Sequence, residues 1–318
     1  MKQVQTVLGP VPVAQLGVSL MHEHLVIGWP GWVFDPLARF DRMKVTSLLI
    51  ERLHELKTLG VSTFVDPCPI ELGRNPELAA EVAEATGMNI ICATGLYTNR
   101  LGIPVYFRQR SADEIADIFI RELTEGIGSS GIRAGLIKCA TGLNEITRHE
   151  EKCLRAAGRA HKATGAPIMT HTESATMGNE QLDILASEGV DFRRVIIGHC
   201  CGTANLAYHL SLLDRGVFLG FDRFGLEAVF PDRLRIASLA GLLAIGYAKQ
   251  IVVSHDYVGC LLGRPLVRTP ENQRQFAKWS YTHLFKDILP KLRAIGVSEA
   301  QIQTMLVDNP QRFFGGWR

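Results

Sequence analysis

Short apolar runs rich in Val and Ile recur along the whole chain, separated by longer stretches whose apolar positions repeat at helical spacing. Runs of that length read as strands and the longer stretches as helices packed on one face. The pattern predicts eight strands: Val18–Met21, Val61–Asp66, Asn89–Thr94, Ala134–Lys138, Pro167–His171, Val195–His199, Val217–Asp222 and Gln250–Asp256. Between them it predicts amphipathic helices over Val45–Thr58, Asn75–Thr86, Ala112–Gly126, Glu150–Thr164, Gln181–Glu188 and Ala204–Arg215. Several of these stop on a glycine that leads into valine, at Gly60-Val61, Gly189-Val190 and Gly216-Val217. Glycine there supplies the left-handed residue that ends a helix.

Strands alternating with helices imply parallel strands joined by right-handed crossovers. Eight such units predict an α/β fold of the (β/α)₈ TIM-barrel type rather than an open sheet. An open nucleotide-binding sheet would show a glycine fingerprint after its first strand. Here the first strand leads into His22-Glu23-His24 instead. No low-complexity linker or composition break marks a second domain, so residues 1–318 are expected to form one barrel domain. The tail Ser298–Arg318 is expected to supply a closing helix and cap, with Asn309-Pro310 as a late turn.

Composition narrows the classes. The 318 residues carry 34 Lys+Arg against 32 Asp+Glu, a net charge of +2, and are 47% apolar. That balance excludes a disordered chain and the basic excess of a nucleic-acid binder. The seven cysteines, at 68, 92, 139, 153, 200, 201 and 260, form no CxxC pair, and Cys200 and Cys201 are adjacent. They are expected to be unpaired buried thiols in a reducing compartment. The start MKQVQTVLGPVPVAQLG lacks the apolar core of a signal peptide, and no apolar run reaches the roughly 18 residues of a membrane span. A soluble cytoplasmic protein with no membrane or nucleic-acid partner is the expectation.

The chemistry stands where predicted strands end. Strand one runs into His22 and His24, strand four ends in Lys138, strand five in His171, strand six in His199 and strand eight in Asp256. In a (β/α)₈ barrel these ends converge on one mouth, where the active site is built. Residues i and i+2 of a strand share a face, so His22 and His24 both aim inward. Imidazole with carboxylate suits zinc, with cobalt, manganese or iron as alternatives. Lys138 is the odd member, since an ammonium binds no metal. It is a salt-bridge partner of Asp256, a base of depressed pKa, or an amine that has taken up carbon dioxide to become an anionic carbamate bridging two metals. Spacing alone leaves those three open.

This constellation resembles the phosphotriesterase family of the amidohydrolase superfamily along essentially the whole chain. The resemblance is carried by Gly17–Glu23 with His24, by 132–138 ending in Lys138, by Thr170-His171-Thr172, Ile197-Gly198-His199, Ser254-His255-Asp256 and Val307-Asp308-Asn309-Pro310. It implies a distorted barrel with a binuclear metal centre. His22, His24 and Asp256 would hold the buried metal, and His171 and His199 the exposed one. Lys138, carboxylated at Nζ by carbon dioxide, would bridge both. A hydroxide bridging two divalent cations forms at neutral pH, and Asp256 takes the role of its base. A homodimer is implied as well.

Tyr97, after Ala93-Thr94-Gly95-Leu96, and Arg223, in Phe221-Asp222-Arg223-Phe224-Gly225, resemble the lactonase-like branch. There the tyrosine lies over the metal pair, and the arginine contacts substrate or orders its loop. The bland alternatives are a rim-packing tyrosine and a surface ion pair of Arg223 with Asp222 or Glu227. Candidate pocket walls are Trp29, Trp32 and Phe34, then Phe224, Leu226 and Phe230, then Cys260, Leu261 and Leu262. Such apolar loops favour an uncharged substrate with an acyl or aryl portion, or else pack on one another or at a dimer interface. Two departures from the family stand out. Cys200-Cys201-Gly202-Thr203-Ala204-Asn205 follows His199 where carboxylates are usual, so a proton relay from Asp256 through such a group is absent or rerouted. The loop Tyr257–Pro270 also differs from that of the lactonases. Hydrolysis of a lactone or ester, with promiscuous phosphotriester hydrolysis, is thus expected. N-acyl amide hydrolysis is the alternative, and a non-catalytic binding barrel is disfavoured because all six candidate ligands are present. The remaining histidines 54, 149, 161, 209, 255 and 283 are expected to be ordinary packing or surface residues.

Overall fold

The chain opens with a hairpin that the apolar pattern does not announce. Strands β1 (Gln3–Thr6) and β2 (Gly9–Pro12) pair antiparallel, in a computed structural model that describes residues 2–264 and 269–316. Then come β3 (Val18–Leu20), β4 (His24–Ile27), β5 (Val61–Asp66), β6 (Asn89–Gly95), β7 (Leu136–Thr141), β8 (Ile168–Thr172), β9 (Val195–Ile197), β10 (Phe218–Phe221), β11 (Ile251–Val253) and β12 (Val258–Leu261). Eight of them form one parallel sheet in the order β11-β10-β9-β8-β7-β6-β5-β3. Helices such as Arg42–Thr58, Pro76–Thr86, Ala112–Thr124, Arg148–Thr164 and Asp232–Ala244 connect successive strands. The result is the predicted (β/α)₈ barrel, nearly closed.

The closure is specific. No strand ladder joins β3 to β11 among the described residues. Instead the Ser254 hydroxyl accepts the His22 N–H at 2.9 Å and the Asp256 N–H donates to the His22 carbonyl at 3.0 Å. Just above, β4 and β12 pair in parallel, His24 opposite Val258 and Ile27 opposite Leu261. The seam is therefore zipped at the mouth, by the same residues that carry the candidate ligands.

Alternation fills the lumen. Met21, Val65, Ile91, Leu136, Met169, Ile196, Phe218 and Val252 form a buried cluster floored by Val4, Leu16, Phe313 and Phe314. This is the layered interior of a packed barrel, and the unannounced β1–β2 hairpin earns its place by supplying Val4 to the floor. A larger buried cluster lies between the strands and the surrounding helices.

The structure shifts some predicted boundaries. β7 starts two residues later than expected and runs on to Thr141, so Lys138 lies inside the strand rather than at its end. β9 and β11 stop short, leaving His199 and Asp256 beyond them in left-handed backbone, φ 61° and 53°. Asn309-Pro310 is no turn. It lies where a π-helical segment, Thr304–Asp308, passes directly into the helix Asn309–Gly315. The buried Asn309 amide donates to the carbonyls of Ala248 and Ile251, each at 2.7 Å, and anchors that helix below the barrel. No helix among the described residues is long and apolar enough to cross a membrane.

Candidate active site

The alternation that sends Leu136 and Met169 into the lumen sends Lys138 and His171 the same way, one step nearer the mouth. There they meet His22, His24, His199 and Asp256. Asp256 is the point of convergence: its Oδ1 lies 3.2 Å from His24 Nε2 and 3.4 Å from His22 Nε2, its Oδ2 3.8 Å from His199 Nε2. Lys138 Nζ is 3.2 Å from His22 Nε2. The His199 ring centroid stands 4.8 Å from that of His22 and 4.5 Å from that of His171. All six predicted ligands thus come together, from five separate segments.

Carboxylates behind the rings explain how they are aimed. Asp222 accepts from Nδ1 of His22 at 2.8 Å and from Nδ1 of His199 at 2.9 Å, and takes the His199 backbone N–H as well at 2.9 Å. Asp66 accepts from Nδ1 of His24 at 2.9 Å, and its oxygens are fixed by the N–H groups of Leu25 and Cys68. Glu173 stands 3.2 Å from His171 Nε2, and the Tyr97 hydroxyl 3.1 Å from His171 Nδ1. A Cβ on Gly220 would lie 2.6 Å from Asp222 Oδ2, so only glycine leaves room for that carboxylate. Asp66 and Asp222 were legible as residues closing predicted strands, and Glu173 as the i+2 neighbour of His171, yet none carried a functional reading. Asp222, just beyond β10, brings a carboxylate to the His199 ring and backbone. Cys200 is buried there, with its thiol on the Ile197 carbonyl.

Electrostatics follow from this packing. Burial penalises the Asp256 carboxylate, but His22, His199 and Arg223 outweigh it and hold the group well below the usual range. Burial pushes the Lys138 ammonium down to about 8, and no ion pair to it is formed among the described residues. The salt bridge from Lys138 to Asp256 is therefore absent. Burial lowers His22 and His199, and takes His171 to about 4. At His24 burial is overcome by hydrogen bonds to Asp256 and Asp66, which raise it to about 9. Neutral imidazoles at His22, His171 and His199, a persistent carboxylate and carboxylate-oriented rings are the donor set a divalent cation requires, and an ion bound at His24 would displace that ring's proton, so the residues fit a metal.

Arg223 is buried and donates from Nε to Asp256 Oδ2 at 2.9 Å, rather than pairing with Asp222 or Glu227 at the surface. Burial works against its charge, but Asp256 raises its pKa overall. Burial also raises the Tyr97 phenol, which stays protonated. Its backbone N–H is held by the buried Glu71 carboxylate at 2.7 Å. The predicted wall residues scatter. Trp29 is exposed and Phe34 is 85% exposed, whereas Trp32 is half-buried with its ring edge-on to Phe40. Leu261 packs with Tyr97 on Ile27, Cys68 and Leu72. Phe224 is wholly buried, and Cys260 packs with it on the outer core. Residues 265–268 of the Tyr257–Pro270 loop lie outside the described residues. Three of the ordinary histidines have structural partners here: His255 pairs with Glu23 at 2.6 Å, His283 with Asp232 at 2.8 Å, and His209 with the Cys200 carbonyl at 2.8 Å.

Comparison with known proteins finds relatives along the whole chain. A sequence model of the Phosphotriesterase family matches residues 2–314. The chain is 41% identical over 330 residues to a phosphotriesterase homology protein of Mycobacterium tuberculosis, covering all of both chains. It is 36% identical over 307 residues to an aryldialkylphosphatase of Saccharolobus solfataricus, covering 94% of this chain and 95% of that one. A crystal structure of a mutant PTE-like lactonase from Deinococcus radiodurans superposes with a TM-score of 0.96 at 40% identity, covering 98% of this chain and 100% of that one.

Proposed function

The chain belongs to the phosphotriesterase family, and from that membership we propose that it is a metal-dependent hydrolase of lactones or carboxylic esters, with slower promiscuous hydrolysis of phosphotriesters. The observation that carries the reading is the convergence of three imidazole Nε2 atoms on one partly buried carboxylate, beside a buried lysine without an ion pair among the described residues. In this reading His22, His24 and Asp256 would hold one divalent cation and His171 and His199 a second, and Lys138, carboxylated at Nζ by carbon dioxide, would be a further ligand. Zinc suits the nitrogen-rich set, with cobalt, manganese or iron as alternatives. When bound, the cations polarise the substrate's oxygen and lower the pKa of a water toward neutrality.

The rest is the work of side chains. Asp256 accepts the proton of the attacking water, and Arg223 keeps its carboxylate oriented through the 2.9 Å contact. The Tyr97 phenol, kept protonated, has a hydrogen to donate to a substrate oxygen beside His171. Trp29 and Phe34, exposed after β4, and Val229, exposed after β10, offer apolar surface to an acyl or aryl portion. A homodimer in the cytoplasm belongs to the same proposal, in keeping with seven unpaired thiols.

The test is to reconstitute the protein with zinc and bicarbonate, then follow proton release from lactones beside ninhydrin detection of amine from N-acyl compounds. Lactone turnover with two equivalents of metal supports the reading. Amine release without lactone turnover would replace it with an amide hydrolase, and well under two equivalents would refute the paired-metal centre. Sedimentation at equilibrium checks the dimer.

A further inference from the structure

One ring nitrogen of every candidate metal histidine rests on a carboxylate, but the four are not held alike. Asp222 and Asp66 are buried, and each is itself fixed by backbone N–H groups. His171 instead relies on Glu173, whose carboxylate is half-buried at the mouth and, among the described residues, accepts no backbone N–H. We propose that Glu173 is the positioning residue for His171, and through it for the half of the centre formed with His199. This rests on the binuclear reading above.

The backbone is arranged to deliver that carboxylate. His171 lies in β8 and Glu173 is the first residue beyond it, opening a 3-10 turn over Glu173–Ala175 that brings its carboxylate back to the His171 ring at the mouth. Immediately afterwards Ser174, Ala175 and Met177 all adopt left-handed φ, at 52°, 56° and 64°, without a glycine among them. Strain of this kind persists where surrounding contacts over-determine it, and it clusters at functional sites. Here the contacts are explicit. The Glu173 carbonyl accepts from the Thr176 N–H at 3.1 Å and its hydroxyl at 2.8 Å, and the Asn144 N–H donates to that hydroxyl oxygen at 3.0 Å. Gly202 packs against Ser174 and Ala175, leaving ordinary contact for a Cβ at 3.4 Å. The main chain of Glu173 is thus pinned while its side chain reaches back 3.2 Å from His171 Nε2. That leaves Nδ1, now facing the Tyr97 hydroxyl, as the nitrogen for an ion. A partner on the outer nitrogen sets ring tautomer and direction, and losing one typically weakens metal binding by about 10–100-fold.

The experiment titrates zinc, with bicarbonate present, into metal-free wild type, Glu173→Gln and Glu173→Ala by competition with a chromophoric chelator, and records the thermal unfolding of each metal-free protein. The proposal expects the first equivalent to bind unchanged and the second to weaken by about 10–100-fold in Glu173→Ala. Glu173→Gln, which keeps an acceptor without the charge, falls between. An unchanged second equivalent in Glu173→Ala overturns it. So does equal weakening of both equivalents with a lowered metal-free melting temperature, which marks a merely structural residue. Wild type that takes up fewer than two equivalents defeats the binuclear reading itself, and this proposal with it.

Discussion

Asp222 is the group on which the centre depends most, because one carboxylate serves two rings. It meets three N–H donors: Nδ1 of His22, Nδ1 of His199 and the His199 backbone amide. Asparagine has nearly the same shape but only one accepting oxygen. The backbone amide cannot change its hydrogen, and it shares an oxygen with His199 Nδ1, so the asparagine carbonyl must face His199. Its NH₂ then points at His22 Nδ1, which must become an acceptor. His22 consequently carries its proton on Nε2, the nitrogen turned to Asp256, and is lost as a ligand.

Each ring so disturbed is worth about 10–100-fold in metal affinity. Asp222→Asn should lose roughly that factor, about 1.4–2.7 kcal/mol. Asp222→Ala releases both rings and should lose roughly 10²–10⁴-fold if the two act independently. It also strands the His199 amide in the interior, at about 1–3 kcal/mol of folding stability. Chelator competition gives the affinities and urea unfolding of the metal-free proteins gives the stabilities. Wild-type zinc affinity in Asp222→Asn would show that the tautomer argument is wrong.

Arg223→Lys keeps a positive charge but not the planar Nε–H directed at Asp256; with full metal content it should lower lactone kcat/KM by about 10–100-fold, and wild-type turnover would remove Arg223 from the machinery. Lys138→Ala should lose both metals and activity, with partial rescue by short carboxylic acids; unchanged metal content would contradict the carbamate bridge. Glu71 gives a pH signature, because burial raises its carboxyl from 4.5 to about 7. An acid with a raised folded pKa binds more protons folded than unfolded, so its contribution to stability declines as pH climbs from about 4.5 through 7. Glu71→Gln should flatten that decline and gain up to roughly 3 kcal/mol over wild type at pH 8; parallel stability curves for the two proteins would refute it.

How far the sequence could be read depended on which signals are local. Strand and helix alternation is local, and so is the inward step from Leu136 to Lys138 or from Met169 to His171, so the barrel and its six converging residues were legible. The geometry assumed for His22 and His24 was not what forms. They straddle a break between β3 and β4, where the His24 N–H bonds to the Tyr257 carbonyl and the His22 carbonyl to the Asp256 N–H. That cross-chain zipper depends on residues more than 230 positions away and leaves no trace in periodicity. The left-handed backbone at His199 and Asp256 was equally hidden, since neither is glycine. Asp66 and Asp222 were visible as strand ends, and only three-dimensional pairing reveals that they aim histidines. The wall residues fared differently because an apolar loop residue packs inward or outward with the same letter: Phe224 sinks wholly into the core and Phe34 stands in solvent.

The distribution of charge leads to one more consequence. A net charge of +2 over the chain conceals a mouth in which Asp66, Asp222 and Asp256 are gathered against Lys138 and Arg223. Carboxylates drawn out of water are favourable only when compensated, and Lys138, Arg223 and a His24 raised to about 9 supply three cations for the three anions. Carboxylation of Lys138 would replace one of those cations by an anion and open a deficit that divalent ions would fill. The folded state should therefore bind metal far better than the unfolded chain and be stabilised by mass action: free zinc at 1,000 times the dissociation constant adds about 4 kcal/mol. With an unfolding entropy of about 2.1 cal/mol/K per residue, 318 residues convert this to an increase of roughly 6 °C in melting temperature. Differential scanning calorimetry of the zinc-loaded and the chelated protein checks it. Coincident transitions would mean that the assembled anions already have all the compensation they need, and that the converging histidines are packing rather than ligands.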